Sequence, residues 1–280
     1  MTDGEHRVGQ QRALVFGTTA EAYDAARPGY SDLLVDTVLA YAGPGLRRAV
    51  EIGAGTGKAT VAFAGRGVPV LAVEPDPRMA EVLRRNTADV PHVEVEAGLL
   101  FEQWQPGGRR FELVYAAQAW HWLDPHTRRD RVHDVLAPGG TVALFWNFAP
   151  VVDPDLHRAL QETDEEFGTG LMRLTELAAD YAGEIESTVE NGWPARDFAG
   201  DARFTDQRSV RVRNGRVRQG VDAWLARVAT QSGVQMLEPG RREACLAALR
   251  AALTAHGDGF DTEWITDVFL ARRVPVEALA

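Results

Sequence analysis

The sequence feature that most constrains the fold is a glycine-rich turn after a short apolar run. The run at 49–52 leads directly into glycines at alternate positions, Gly53, Gly55 and Gly57. An apolar run, a glycine turn and helix-compatible residues at 59–64 together predict a strand, a tight loop and a helix. Glycine suits such a loop because a ligand can lie against the backbone only where no Cβ intervenes. In open α/β sheets, a loop at the carboxyl end of the first strand is where nucleotides bind.

A second apolar run ends in a carboxylate. Residues 70–74 are Val-Leu-Ala-Val-Glu, which indicates a buried strand that finishes at Glu74. The spacing from the glycine turn is about 20 residues, the distance at which an acid reaches a ribose diol. The two signals together predict a site for an adenosine-containing cofactor.

The details of the turn bear on which cofactor binds. The dinucleotide fingerprint G-x-G-x-x-G directs a helix N-terminus at a pyrophosphate. Here the third fingerprint position is Lys58, and the glycine falls one residue early, at Gly57. Glu51, just before the loop, suits an ammonium or sulfonium group better than a pyrophosphate. A dinucleotide site and an ordinary glycine turn in a structural βα unit are the alternatives.

Two further segments complete a resemblance to a known family. E-I-G-A-G-T-G at 51–57, followed by V-E-P-D at 73–76, resembles motifs I and II of the class I S-adenosylmethionine-dependent methyltransferases. F-G-x-x-A-x-x-Y-D-x-x-R-P-x-Y at 16–30 is similar to the N-terminal lid of the type 11-like small-molecule members. The resemblance implies that this lid folds over S-adenosylmethionine. Packing of the lid tyrosines on the sheet edge is the alternative.

The end of the predicted fourth strand carries the candidate chemistry. A-Q-A-x-H-W-x-D at 117–124 resembles the corresponding motif of the type 11-like group. Because the strand order reverses between strands one and four, this end faces the transferable methyl group. His121 is therefore a candidate general base or a wall of the methyl site. The alternative is a structural histidine that hydrogen-bonds the cofactor or Asp124. The large rings beside it, Trp120 and Trp122, are of a kind that more often packs in the core.

The loop after the third strand departs from the family. It normally carries a small polar or acidic residue near the adenine amino group, whereas this chain has G-L-L-F-E at 98–102. Recognition is then expected from backbone groups around Leu99 and Leu100, or from Glu102. The full set of expected cofactor contacts is Tyr23, Arg27, Tyr30, Glu51, Gly53, Gly55, Gly57, Glu74, Pro75, Leu99, Leu100, Ala117 and Gln118. The expected acceptor contacts are Trp120, Trp122 and Trp146.

The resemblance implies a doubly wound, seven-stranded, mostly parallel α/β sheet with an antiparallel last strand. Residues 1–149 are expected to hold the cofactor-binding core and lid, 150–203 a helical insertion that roofs the acceptor, and 204–280 the rest of the sheet. Alternation at 209–213 predicts a strand, and Asn214-Gly215 a type I′ turn that begins a hairpin. The arginines of this strand are expected to form a solvated face, namely Arg208, Arg211, Arg213, Arg216 and Arg218. A surface that attracts an acidic substrate or partner is the alternative.

Composition narrows the class of partner. A formal charge of −10 argues against a general nucleic-acid binder, since phosphate neutralisation needs a basic face. The chain has no apolar stretch of membrane-spanning length, no predicted metal site, and a single cysteine, Cys245, which favours a reducing, cytoplasmic location. The expected acceptor is a small molecule methylated at O, N or C, and the oligomeric state is not indicated. An NAD-dependent oxidoreductase and a non-catalytic S-adenosylmethionine-binding protein are the alternative functions.

Overall fold

The structure is a computed structural model that describes residues 19–172, 185–187 and 194–275. The first residues of the lid motif and part of the helical insertion expected at 150–203 lie outside the described residues. The elements, in chain order, are α1 Ala20–Ala26, α2 Asp32–Ala42, β1 Ala49–Ile52, α3 Lys58–Ala64, β2 Val70–Glu74, α4 Pro77–Asn86, β3 Val93–Ala97, β4 Phe111–Ala117, α5 Arg128–Val135, β5 Leu136–Phe148, α6 Pro154–Phe167, β6 Ile185–Ser187, α7 Ala195–Phe198, β7 Phe204–Gly220, α8 Val221–Ala229, α9 Ser232–Gln235, α10 Pro239–His256 and β8 Gly259–Arg273.

The strands form one mixed sheet in the order β3-β2-β1-β4-β5-β8-β7-β6. The first five strands are parallel, while β8, β7 and β6 are antiparallel to their neighbours. This arrangement confirms the doubly wound, Rossmann-like fold with antiparallel final strands. The three-residue β6 extends the edge beyond the seven strands expected. The order reverses between β1 and β4, so a crevice opens at their carboxyl ends.

Two apolar cores cover the two faces of the sheet. β1 and β2 are buried along their whole length, as strands covered on both faces must be. Alternate residues of β4 point to opposite faces: Leu113 and Tyr115 join one core, and Val114 and Ala116 join the other. The sheet is therefore a rigid base that fixes the loops at its carboxyl edge.

A third apolar cluster belongs to a layer of helices that we call the helical layer, formed by α6, α8, α9 and α10. In α10 the buried positions are Cys245, Leu249 and Leu253, spaced four apart on one stripe. They pack with Leu160 of α6 and Trp224 of α8 in the same cluster. The segment that follows β7 thus adds most of this layer, α8, α9 and α10, as well as the last strand, β8.

The predicted hairpin turn at Asn214-Gly215 is wrong. β7 continues through both residues, and its pairing with β8 shifts between Arg213 and Arg216. Between these two pairs β7 has two residues where β8 has one, so β7 contains a bulge with one extra residue. Gly215, at φ +86°, supplies the left-handed backbone conformation that the bulge needs. An Asn-Gly pair therefore marked a local irregularity within a strand and not its end.

Candidate functional site

The glycine turn and the ends of β1, β2 and β4 enclose a cavity of about 150 Å³, which we call the loop cavity. The lid helix α1 and the start of α9 complete its wall. Its lining residues are Tyr23, Arg27, Ile52, Gly53, Gly55, Val73, Glu74, Pro75, Met79, Leu100, Phe101, Glu102, Ala117, Gln118, Ala119, His121, Trp122, Leu123, Gln231 and Ser232. Most of the expected cofactor contacts therefore lie together around one space.

The glycines of the turn have distinct structural tasks. Gly53 has φ +66°, and a Cβ there would lie 2.7 Å from the Cβ of Ala119. Gly55 has φ +60° and also lines the cavity. Gly57 lies outside the cavity lining and faces α4, because an added Cβ would meet Leu83 Cδ1 at 2.6 Å. Two glycines thus leave the backbone open to a ligand, and the third allows close helix packing.

Glu74 is held in place by two backbone donors at the floor of the loop cavity. Its two carboxylate oxygens accept from the N–H of Gly55 at 2.7 Å and from the N–H of Asp76 at 2.9 Å. The residue is only 6% exposed, and this burial raises the pKa of its carboxyl to about 7, against the lowering effect of both hydrogen bonds. Glu74 therefore ties the glycine loop to β2 and presents a carboxylate to the cavity.

Glu51 differs from the expectation that it lies beside a bound cation. It is 1% exposed and absent from the cavity lining, and its carboxylate accepts from Thr60 Oγ1 at 2.5 Å and from the Tyr115 hydroxyl at 3.1 Å. Burial raises the pKa of Glu51 to about 8, with the two hydrogen bonds acting in the opposite direction. The acid joins β1, α3 and β4 beneath the loop, because its position in a fully buried strand points it into the core.

The lid helix α1 is tied to both sides of the crevice. On one side Asp24 accepts from Asn86 of α4 at 3.0 Å and pairs with Lys58 at 3.2 Å. On the other side Arg27 donates to the hydroxyl of Thr230 at 3.0 Å and to its carbonyl at 3.3 Å. These contacts hold Tyr23 and Arg27 over the loop cavity, where the lid motif led us to expect them.

A second cavity of about 910 Å³ adjoins the first, and we call it the large cavity. Six residues line both cavities and so form the wall between them: Tyr23, Arg27, Gln118, His121, Gln231 and Ser232. The remaining lining includes Tyr30, Lys58, Trp146, Asn147, Phe148, Arg211, Trp224, Arg227, Trp264, Asp267 and Phe269. A small space at the glycine loop thus opens beside a much larger one.

The shared wall contains a strained backbone and an anchored histidine. Gln118 has φ +61°, a conformation that costs a non-glycine residue about 1–3 kcal/mol and is concentrated at functional sites. Its side-chain amide donates to the carbonyl of Asn147 at 3.1 Å. The indole N–H of Trp146 donates to His121 Nδ1 at 3.4 Å, and the ring of Trp122 lies 4.2 Å from the His121 ring centroid. The imidazole is therefore held at the boundary by aromatic neighbours.

Besides Glu51 and Gly57, four expected site residues lie elsewhere, and one of them is Trp122, an expected acceptor contact that lines the loop cavity and not the large one. Trp120 is 0% exposed in the sheet core, where its N–H donates to Asp197 at 2.8 Å and its ring stacks on Phe198. It is therefore a core residue and not a wall of the acceptor pocket. Leu99 is 48% exposed and lines neither cavity, whereas Leu100 does. Tyr30 lines the large cavity and packs edge-on against Phe145, so it lies on the other side of the wall.

Sequence reasoning missed the contribution of the helical layer. Gln231 and Ser232, at the break between α8 and α9, line both cavities, and Trp224 and Arg227 of α8 line the large one. A polar T-Q-S-G break directly after an apolar helix was the available signal. Arg211, expected on a solvated face, is 4% exposed and forms a bidentate ion pair with Asp267 at 2.6 and 2.8 Å. Among the described residues, no group of acids, histidines and cysteine forms a metal-binding cluster.

The sheet order and the glycine-loop crevice define a Rossmann-like α/β fold. Residues 49–140 match the family model described as "Methyltransferase domain". That segment is therefore similar to a methyltransferase domain.

Several proteins resemble this chain. An uncharacterized methyltransferase of Mycobacterium tuberculosis is 39% identical over 48% of this chain and 53% of its own length. An uncharacterized methyltransferase-like protein of Schizosaccharomyces pombe is 32% identical over 47% of this chain and 51% of its own length. This chain therefore spans about half the length of the curated relatives it matches. The fold of a proposed type II methyltransferase from Anaeromyxobacter dehalogenans superposes with a TM-score of 0.58 at 22% identity, over 89% of this chain and 99% of that one.

Proposed function

We propose that this protein transfers a methyl group from S-adenosylmethionine to a small-molecule acceptor, a specialised metabolite, at an O, N or C atom. The observation that carries the proposal is the pair of adjoining cavities that share one wall. Methyl transfer needs a cofactor site and an acceptor site that meet at a single point. The negative net charge and the concave shape of the large cavity favour a small molecule over a nucleic acid.

The residues of the loop cavity fit an adenosyl cofactor. Gly53 and Gly55 line the cavity with backbone alone, and Glu74 offers a carboxylate at the end of β2. In the proposed arrangement Glu74 holds the ribose and the glycine loop holds the methionyl portion. Met79 and Leu100 provide apolar walls for the adenine. Arg27 and Tyr23 of the lid cover the site.

Methyl transfer depends mainly on how the protein positions the acceptor relative to the methyl group. S-adenosylmethionine, when bound, supplies a methyl carbon already activated by a sulfonium. The chain's own task is to hold the acceptor atom in line with that carbon in a dry space, and such orientation contributes roughly 7–11 kcal/mol to lowering the barrier. Gln118 and His121 stand at the wall where the two spaces meet, so they are the residues that set this alignment.

His121 is proposed as the catalytic residue, a general base for acceptors that must lose a proton. Its Nδ1 accepts from Trp146 at 3.4 Å, so the neutral ring carries its own proton on Nε2. As a base it takes the proton of the acceptor on Nδ1, which requires that the contact with Trp146 opens and yields an imidazolium. A base in this place contributes about a hundredfold to ten-thousandfold when the acceptor is a phenol, an amine or an activated carbon. A carboxylate acceptor needs no base, and His121 then serves as a wall.

The test is calorimetric titration of the protein with S-adenosylhomocysteine and, separately, with NADH. We expect saturable binding of the first ligand only, and about tenfold to hundredfold weaker binding in Glu74→Gln, because an amide can accept only one of the two backbone hydrogen bonds. Glu81→Gln, an exposed acid on α4, is the matched control and should bind as the unmodified protein does. Binding of NADH alone would favour the oxidoreductase alternative. Tight S-adenosylhomocysteine binding without methylation across a broad acceptor panel would favour the non-catalytic one.

A further inference from the structure

One cation in the large cavity lacks a carboxylate partner. Arg227 of α8 lines the cavity, and its guanidinium carbon lies 5.6 Å from the ring centroid of Trp264. Within the described residues it forms no ion pair, and its buried Nε has no hydrogen-bond partner. Burial, and to a smaller extent the charge of Arg27, lower the pKa of Arg227 to about 10. A buried charge without compensation is costly, so its presence here calls for a ligand.

The other cations of the same cavity behave differently. Arg211 is matched by Asp267 in a bidentate pair, and Lys58 is matched by Asp24. Among the described residues, Arg27 forms no ion pair and donates to the hydroxyl and carbonyl of Thr230, which are neutral groups. In that part of the chain, two positive charges of the cavity wall, Arg27 and Arg227, therefore have no acidic partner.

Several aromatic rings also line the large cavity. Trp146 and Phe148 of β5, Trp224 of α8, Trp264 and Phe269 of β8 contribute rings to its lining. Large flat side chains of this kind bind flat apolar ligands, and a few polar groups among them fix the orientation. The cavity thus combines an apolar surface with a localised positive charge.

We propose that the large cavity binds an organic anion with a flat apolar body, and that Arg227, with Arg27 nearby, binds its carboxylate or phosphate group. That this anion is the methyl acceptor rests on the proposed function; that the cavity binds it does not. Arg227 is the specificity-determining residue, because a guanidinium presents a planar fork of donors to either oxyanion.

Binding is measured by quenching of tryptophan fluorescence in protein saturated with S-adenosylhomocysteine, with cinnamate, phenyl phosphate and the neutral cinnamamide as probes. We expect at least one of the anions to bind roughly tenfold or more tightly than the amide, and the relative affinities of the two anions identify the preferred oxyanion. Arg227→Gln should weaken the binding of that anion about tenfold to hundredfold and leave cinnamamide binding unchanged. Arg227→Lys keeps the charge without the fork and should fall in between.

Arg250→Gln, an exposed arginine of α10 paired with Asp222, is the matched control and should bind every probe as the unmodified protein does. Folding is checked by thermal unfolding: Arg227→Gln should unfold at the same or a higher temperature, because it removes an uncompensated buried charge. The better-bound anion should raise the unfolding temperature of the unmodified protein and not that of Arg227→Gln.

The outcomes separate the two proposals. Equal affinity for the anions and the amide, or unchanged anion binding in Arg227→Gln, overturns the inference. A loss of S-adenosylhomocysteine affinity in Arg227→Gln, with anion binding intact, assigns the arginine to the cofactor carboxylate and also overturns it. If the protein binds no S-adenosylhomocysteine, the proposed function fails, and the same titration without that ligand still decides whether Arg227 selects anions.

Discussion

The two cavities differ in how their walls are assembled from the chain. All but four of the residues that line the loop cavity fall within 49–140, the segment that is similar to a methyltransferase domain. In the large cavity only Lys58, Gln118 and His121 come from that segment. The remaining wall comes from the lid, the end of β5, the bulged ribbon of β7 and β8, and the helical layer. One site is built mostly from local motifs, and the other from residues that are distant in sequence.

The difference reflects what each site must do. A loop that holds a constant cofactor needs fixed backbone conformations, such as Gly53 at φ +66°, and these leave a short-range signature in the sequence. An acceptor site needs only side chains of suitable shape and charge, which any nearby element can supply. The wall around Gln118 and His121 belongs to both cavities, so it joins the site built from local motifs to the site built from residues distant in sequence.

The largest effect on cofactor binding is expected from adding a side chain to the glycine loop. Gly53→Val places a Cβ 2.7 Å from Ala119 Cβ at a backbone angle that a β-branched residue resists. Affinity for S-adenosylhomocysteine should fall more than about a hundredfold by calorimetry. Gly45→Val, in open space at an exposed turn, is the control and should keep its affinity. Retained binding in Gly53→Val would mean that the cofactor does not lie against this loop.

The next effect concerns stability. Burial raises the pKa of Glu51 to about 8 from an ordinary 4.5, so the folded protein holds a proton that the unfolded chain has released. The corresponding contribution to the free energy of unfolding is complete below about pH 4.5 and is lost as the pH rises to about 8, on the order of 5 kcal/mol. Denaturant titrations between pH 5 and 9 should show this loss in the unmodified protein, with Glu74 contributing up to about pH 7.

Glu51→Gln should remove most of this dependence of the free energy of unfolding on pH, because an uncharged amide oxygen still accepts from Thr60 and Tyr115. It should therefore be more stable than the unmodified protein at pH 9. Glu94→Gln, an exposed acid on β3, should leave this pH dependence intact. An unchanged pH dependence of the free energy of unfolding in Glu51→Gln would mean that a group other than Glu51 holds the buried proton. The buried acid beneath the glycine loop would then not be the source of the effect.

Sequence alone predicted the sheet, its order of elements and most of the loop cavity, because glycine spacing and apolar strand patterns are local signals. It failed where a residue type has two structural uses. Asn214-Gly215 fits a turn as well as a bulge, and the pairing partner on β8 decides between them. Arg211 alternates with apolar residues as a solvated strand would, yet Asp267 across the ribbon allows it to be buried. Such outcomes depend on partners about 50 residues away.

A smaller effect is expected at the wall. His121→Ala should lower turnover about a hundredfold for an acceptor that must lose a proton, and S-adenosylhomocysteine affinity should change less than about threefold. A carboxylate acceptor should lose far less turnover, since its methylation needs no base. His126→Ala, an exposed histidine in the following turn, is the control. Full turnover in His121→Ala with a phenolic or amine acceptor would remove the base and leave a positioning wall.

The smallest functional effect is expected from the tryptophan that faces away from both cavities. Trp120→Phe keeps the stacking on Phe198 and loses the hydrogen bond to Asp197, an acid that Arg128 still pairs with at 2.5 Å. The free energy of unfolding should fall by about 1–3 kcal/mol, while the KM for the acceptor and the turnover stay within about twofold. Trp122→Phe, which changes a ring that lines the loop cavity beside His121, should shift these kinetic constants more than it shifts stability. The opposite pattern, in which Trp120→Phe changes the kinetic constants and Trp122→Phe mainly changes stability, would contradict this assignment. It would mean that Trp120 belongs to the site, and that the acceptor binds deeper beneath the sheet edge than the large cavity extends.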